Sequence, residues 1–72
     1  MKKRFALTDL DCAHCAAKME DAIKKLDGVN DATVNFIAQK MTVDADESRF
    51  DSIMDEVVKI CKKIEPDCVI ER

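Results

Sequence analysis

Residues 9–16 read Asp-Leu-Asp-Cys-Ala-His-Cys-Ala, and they separate two segments whose apolar residues follow different periods. Before this stretch, Phe5 and Leu7 occupy alternate positions, which predicts a half-buried strand. After it, apolar residues recur at helical spacing, which predicts an amphipathic helix. The sequence therefore predicts a strand-to-helix loop that carries two thiols, Cys12 and Cys15, beside a carboxylate. The apolar helix positions are Ala16, Met19, Ile23 and Leu26.

Two more alternating segments and a second amphipathic helix follow. Alternation over residues 29–36 and 40–45 predicts two neighbouring strands. Apolar positions from 50 to 64 recur at helical spacing, and Pro66 prevents this helix from continuing. Residues 68–70 then predict a short final strand.

Two local signals predict helix ends. Gly28, the only glycine, stands where the end of the first helix needs a left-handed residue. Ser48 and Asp51 resemble a capping box, which predicts the start of the second helix at Ser48.

The element order is strand, helix, strand, strand, helix, strand. This order predicts an α+β fold, a ferredoxin-like βαββαβ sandwich with a four-stranded antiparallel sheet and two helices on one face. The last strand then pairs with the first, so the end of the second helix and the turn at Glu65 come close to the cysteine loop. The residues expected on that edge are Cys61, Lys62, Lys63 and Cys68.

Length and composition set the class of protein. The 72 residues predict one domain, residues 1–72, with a core against one face of a sheet. A net charge of −3 and the lack of Trp and Tyr argue against nucleic-acid binding, which favours a basic face and stacking aromatics. Polar residues interrupt the segment after the basic N-terminus, so neither a signal peptide nor a membrane span is expected and the predicted location is cytoplasmic.

The two loop cysteines predict metal or thiol chemistry, because the cytoplasm keeps thiols reduced. Cys12 and Cys15 can converge on one soft ion, and the N-terminal end of a helix favours their thiolate forms. Asp11 can add an oxygen ligand. The same spacing also serves a thiol-disulfide oxidoreductase, with Cys12 as nucleophile and Cys15 as resolving thiol. A structural interaction domain is a third interpretation.

The remaining candidate ligands have plainer interpretations. His14 lies between the two cysteines and is expected to face solvent. Cys61 lies beside the apolar stripe of the second helix, so it is expected to be a buried thiol with a conditional role as third thiolate. Cys68 is expected to act as a small hydrophobic residue, and the methionines at helix and strand spacings are expected in the core.

The loop motif, the element order and the length together resemble a heavy-metal-associated domain. This module occurs as soluble metallochaperones and as N-terminal domains of metal-exporting P-type ATPases. The resemblance covers nearly all of residues 1–72, and it transfers the ligand role to Cys12 and Cys15. The copper branch usually has Gly-Met-Thr or a similar triplet before the first cysteine, whereas this chain has Asp9, Leu10 and Asp11.

An acidic residue directly before the first cysteine is what the zinc, cadmium and lead branch carries. The resemblance therefore implies binding and transfer of Zn(II), Cd(II) or Pb(II), with Cu(I) as an alternative cargo. It implies a regulatory ATPase domain or a soluble chaperone that is not itself catalytic. The implied partner is a membrane metal-transporting ATPase, in cis or in trans, with no nucleic acid and no insertion of this domain into the membrane.

Overall fold

A computed structural model describes residues 1–71 of the chain. The strands are β1 (Lys2–Thr8), β2 (Val29–Asn35), β3 (Lys40–Ala45) and β4 (Val69–Glu71), and the helices are α1 (Ala13–Lys24) and α2 (Phe50–Ile64). A 3₁₀ turn at Glu47–Arg49 leads into α2. The predicted order of strands and helices is confirmed, with differences of a few residues at the ends of elements.

The four strands form one antiparallel sheet in the order β2–β3–β1–β4. β1 lies inside the sheet, with Phe5 opposite Met41 of β3 and Leu7 opposite Ile70 of β4. Both helices pack against the face that carries these apolar side chains. The predicted ferredoxin-like sandwich with two helices on one face is therefore confirmed. No helix within residues 1–71 has the length and apolar character needed to cross a bilayer.

A hydrophobic core lies between the sheet and the helices. Met19 and Ile23 of α1, Val57 of α2, and Met41 and Val43 of β3 have no exposed surface. Burying a side chain of this kind contributes about 1.5–3 kcal/mol relative to leaving it exposed. Within the described chain, neither loop cysteine belongs to this core, so packing stabilises the fold without them.

The start of α2 differs from the sequence-based expectation. Asp46 accepts hydrogen bonds from the backbone N–H of Ser48 at 3.2 Å and from its hydroxyl at 3.0 Å. These bonds begin the 3₁₀ turn, and α2 itself begins at Phe50. The capping box predicted from Ser48 and Asp51 is therefore wrong, because Asp46 caps the chain two residues earlier.

Within residues 1–71, three residues adopt left-handed backbone conformations. Gly28 has the left-handed conformation that the sequence predicted, with a φ of 92°. It does not end the first helix as expected, because α1 ends at Lys24 and its C-cap is Lys25 in a right-handed conformation. Asp9 and Gln39 also have positive φ, at 62° and 55°. Neither conformation was expected from the sequence, and both residues belong to connections beside the cysteine pair.

Three connections meet at one end of the sheet, because β1 ends where β3 and β4 begin. They are the cysteine loop of residues 9–12, the β2–β3 connection of residues 36–39, and the α2–β4 turn of residues 65–68. We term this the loop end of the domain. It positions the candidate site.

Candidate metal centre

The cysteine loop is shaped by a left-handed residue and a buried one. Asp9 has a φ of 62°, a conformation that Asp tolerates better than most non-glycine residues. Leu10 follows and packs into the core, with 1% of its surface exposed. Cys12 is the N-cap of α1, in an extended conformation with φ −127° and ψ 112°. The fold thus places Cys12 just before the helix and Cys15 in its first turn.

The sulfur of Cys12 caps α1. The backbone N–H of Cys15 donates a 3.1 Å hydrogen bond to this sulfur. Hydrogen bonds from the thiol and then from the backbone N–H of Cys15 lower the pKa of Cys12 below its ordinary value. Because the thiolate is the form of cysteine that binds metals, the lowered pKa brings Cys12 closer to that form than Cys15.

The pKa of Cys15 shifts in the opposite direction. Its pKa is raised, chiefly because its thiol donates a hydrogen bond to Cys12, and further by desolvation and by the charge on Cys12. The two thiols of the metal-free pair therefore differ in acidity, since the pKa of Cys12 is lowered and the pKa of Cys15 is raised. An ion bound by both sulfurs displaces the proton of Cys15, so metal binding is coupled to proton release. Both residues are half-buried, which leaves the sulfurs accessible.

Asp11 and His14 are both exposed beside the cysteine pair. The exposure of His14 agrees with the solvent-facing position expected for it. Among residues 1–71, no three Cys, His, Asp or Glu side chains already form a group that could hold a metal ion. The structure brings the two sulfurs together, and Asp11 has to turn toward them in order to supply an oxygen.

Glu65 lies in the α2–β4 turn that was predicted to approach the cysteine loop, but its side chain was given no role from the sequence. Its negative charge acts on both loop thiols, where it opposes the lowering of the pKa of Cys12 and adds to the raising of the pKa of Cys15. The predicted topology brought this turn to the cysteine loop, but periodicity does not say which of its side chains approaches the sulfurs. Lys18 acts in the other direction and lowers the pKa of Cys15.

The other two cysteines lie in the core. Cys61 and Cys68 are 1% and 3% exposed, and together with Lys62 they line a cavity of about 140 Å³ beside β4. Burial raises the pKa of the Cys61 thiol to about 12 and also raises the pKa of Cys68. A thiol that holds its proton this firmly is a poor metal ligand. The role of Cys61 as a metal ligand therefore stays a prediction, and the burial of its thiol argues against it.

A βαββαβ sandwich with a Cys-x-x-Cys loop between its first strand and first helix defines a small metal-binding module. The sequence profile of the heavy-metal-associated domain matches residues 4–69, which include both helices, β2 and β3 completely, most of β1 and the first residue of β4. The chain belongs to the heavy-metal-associated domain family.

Its relatives include transporters and a chaperone. A "Cadmium, zinc and cobalt-transporting ATPase" of Bacillus subtilis (strain 168) is 35% identical over 72 residues, covering 100% of this chain and 10% of that protein. The "Copper chaperone CopZ" of Enterococcus hirae is 30% identical over 64 residues, covering 89% of this chain and 86% of the chaperone. The chain thus spans a tenth of the ATPase and most of the chaperone. It is a heavy-metal-binding domain of the kind found in both, and such domains are not themselves catalytic.

A solved structure shares the fold. The N-terminal domain of a potential copper-translocating P-type ATPase from Bacillus subtilis, in its Cu(I)-loaded state, has a TM-score of 0.76 at 24% identity. The match covers 97% of this chain and 82% of that domain. At this identity the likeness concerns the fold alone, so the copper in that structure does not identify the ion bound here.

Proposed function

We propose that this domain binds one soft divalent ion, Zn(II), Cd(II) or Pb(II), in preference to Cu(I), and passes it to a metal-exporting P-type ATPase. The observation that carries the proposal is the accessible sulfur pair at the N-terminus of α1. Cys12 is held toward its thiolate form by hydrogen bonds from Cys15. Thiolates are the ligands that soft ions prefer.

The proposed ligand set is Cys12, Cys15 and an oxygen of Asp11. Cu(I) is satisfied by two thiolates, whereas Zn(II) takes about four ligands and accepts carboxylate oxygen. Asp11 directly precedes Cys12, and the charge of Glu65 reaches both sulfurs. Two thiolates with carboxylates nearby compensate a divalent charge better than a monovalent one. Cys61 is left out of this set because of its burial and its raised pKa.

The relatives support a divalent cargo without deciding it. The ATPase that is similar over the whole of this chain is named for cadmium, zinc and cobalt, and the chaperone is named for copper. The acidic residue before Cys12 favours the first kind of cargo. Cu(I) is therefore the alternative that any binding experiment has to include.

We propose that the ion leaves by ligand exchange with a partner. The sulfurs lie at the loop end, half-buried on a surface loop, and the chain supplies few ligands. A thiolate or carboxylate of a partner can therefore add to the ion before a resident ligand leaves. The partner is the transport portion of a metal-exporting ATPase, joined to this domain in cis or met in trans at the cytoplasmic face of the membrane.

The ligand set is tested by ¹¹³Cd NMR on the reduced domain loaded with one equivalent of ¹¹³Cd(II). The chemical shift moves with the number of coordinated sulfurs, so a site with two thiolates and oxygen ligands is distinguishable from one with three or four thiolates. We expect the two-sulfur signature. A three-sulfur signature that is lost in Cys61→Ala would contradict the proposed ligand set.

A further inference from the structure

Gln39, at the end of the β2–β3 connection, is hydrogen-bonded to the cysteine loop. Its side-chain Nε2 donates to the carbonyl oxygen of Leu10 at 2.6 Å, and its Oε1 accepts from the backbone N–H of Leu10 at 3.0 Å. Nε2 also donates to the carbonyl oxygen of Phe36 at 2.7 Å. The backbone carbonyl of Gln39 accepts from the N–H of Leu7 at 2.8 Å. We term the three side-chain bonds the Gln39 clamp.

The clamp holds the backbone just before the proposed ligands. Leu10 is followed directly by Asp11 and then by Cys12. The side chain of Leu10 is buried below the loop, and its backbone N–H and carbonyl are both bonded to one side chain from another connection. Buried backbone groups need such partners, so the clamp and the core together fix this point of the loop.

The chemistry of the clamp requires a primary amide of the length of Gln. An amide offers a donor and an acceptor, whereas a carboxylate only accepts. Asn carries the same amide, but it is one methylene shorter. The φ of 55° at Gln39 is a conformation that Gly and Asn adopt more readily, so backbone conformation alone does not account for Gln at this position.

We propose that Gln39 is a positioning residue of the metal site, which sets the approach of Asp11 and Cys12 to the ion and thereby favours divalent ions. This inference rests on the proposed function. Groups that orient metal ligands typically change affinity by about 10–100-fold when they are removed. A divalent ion that uses both thiolates and the Asp11 oxygen depends on this geometry, whereas Cu(I) with two thiolates depends on it less.

Two substitutions remove the clamp without opposing the left-handed backbone. Gln39→Asn keeps an amide that is too short to bridge, and Gln39→Gly removes the side chain altogether. The matched control is Asn35→Ala, which removes the 2.9 Å hydrogen bond from the N–H of Ala38 to Asn35 Oδ1 at the same end of the hairpin. Hydrogen exchange of the Leu10 amide reports the clamp, and chelator competition reports the affinities for Zn(II) and Cu(I).

We expect faster exchange of the Leu10 amide in both Gln39 variants, with Zn(II) affinity lowered by about 10–100-fold and Cu(I) affinity changed less. Asn35→Ala should keep the wild-type ratio of the two affinities. The proposal is overturned if the Leu10 amide of Gln39→Asn exchanges faster while the ratio of Zn(II) affinity to Cu(I) affinity is unchanged. It is also overturned if the exchange of this amide is unchanged, or if Asn35→Ala lowers the affinity ratio as much as the Gln39 variants do. Failure of the unaltered domain to bind Zn(II) would instead refute the proposed function.

Discussion

The backbone N–H of Cys15 donates a 3.1 Å hydrogen bond to the sulfur of Cys12. This bond makes the first cysteine of the pair both the N-cap of α1 and the thiol with the lowered pKa. The second cysteine keeps its proton longer, since its pKa is raised. The two sulfurs of one Cys-x-x-Cys loop are therefore chemically unequal before any ion binds.

This inequality predicts an order of reaction with iodoacetamide at neutral pH. Cys12 should be alkylated first because it is accessible and has the larger thiolate fraction, followed by Cys15. Cys61 and Cys68 should react slowest because they are buried. Peptide mass spectrometry over a time course measures the order, and stoichiometric Zn(II) should protect the first two. Faster modification of Cys15 than of Cys12 would contradict the predicted inequality of the two thiols.

Asp11 should affect the preference for Zn(II) over Cu(I) more than the overall affinity for metal ions. Asp11→Ala is expected to weaken Zn(II) and Cd(II) by at least about tenfold and to leave Cu(I) largely unchanged, since two thiolates suffice for Cu(I). Competition titrations with chelators specific for each ion measure both affinities.

Glu65→Gln is the matched control for Asp11→Ala, because it removes the negative charge of Glu65, which acts on both sulfurs. Its effect on Zn(II) should be smaller than that of Asp11→Ala, since Asp11 is adjacent to Cys12. A larger loss of Zn(II) affinity in Glu65→Gln than in Asp11→Ala would indicate that Glu65, in the α2–β4 turn, supplies the oxygen ligand. Equal weakening of Zn(II) and Cu(I) in Asp11→Ala would refute its role in selectivity.

The buried thiol of Cys61 should make stability depend on alkaline pH. Its folded pKa is raised by burial to about 12, whereas an unfolded thiol titrates near its ordinary value of about 8.5. As the pH rises through this window, the unfolded chain loses the proton first, so the free energy of unfolding falls.

Urea unfolding of the reduced protein at pH 8, 9 and 10 measures this decline. Cys61→Ala should make the decline shallower, whatever the absolute loss from the smaller side chain. The raised pKa values of Cys15 and Cys68 account for the part of the decline that remains. Cys12→Ala is the control and should leave the contribution of Cys61 in place, because the pKa of Cys12 itself is lowered and Cys12 is not among the groups that raise the pKa of Cys61. An equally steep decline in Cys61→Ala and the wild type would show that Cys61 is not its source.

Metal transfer to the transport portion of a metal-exporting ATPase should be faster than spontaneous dissociation and should slow as salt is added. Docking of charged surfaces is screened over about 10 Å at 0.1 M salt. Lys62 and Lys63 lie in the last turn of α2 at the loop end, whereas Lys24 and Lys25 end α1 at the opposite end. Replacing the first pair by Ser should slow transfer several-fold, and replacing the second pair should not. Transfer no faster than spontaneous dissociation at any salt concentration would indicate that the domain buffers the metal ion and does not deliver it by docking.

The fold was predictable because the spacing of apolar residues differs between its strands and its helices. The alternation of Phe5 and Leu7 and the helical spacing of Met19 and Ile23 coincide with the buried face of each element. Gly28 was predictable for a similar reason, since only glycine adopts a φ of 92° at little cost. These signals are local and repeat along the chain.

The contacts that reach the cysteine loop from other connections were not predictable in the same way. Glu65 and Gln39 act on the cysteine loop from connections distant in sequence, and neither belongs to a periodic pattern. Their roles depend on side-chain direction at the loop end, which topology narrows but does not determine. The start of α2 was misplaced because Asp46 and Ser48 are both good capping residues, and the choice between them depends on the 3₁₀ turn.

Cys12 and Cys15 are the two residues proposed to bind the ion. The most direct measurement is the stoichiometry and affinity of Zn(II) for the reduced domain and for the Cys12→Ser/Cys15→Ser variant, with circular dichroism and thermal unfolding as controls of the fold. We predict one Zn(II) per wild-type domain, no tight binding to the variant, and similar folding of both, because the core excludes these cysteines. Unchanged Zn(II) affinity in the folded variant would contradict the assignment of Cys12 and Cys15 as ligands. Disulfide-reductase activity without metal binding in the wild type would favour the oxidoreductase alternative instead.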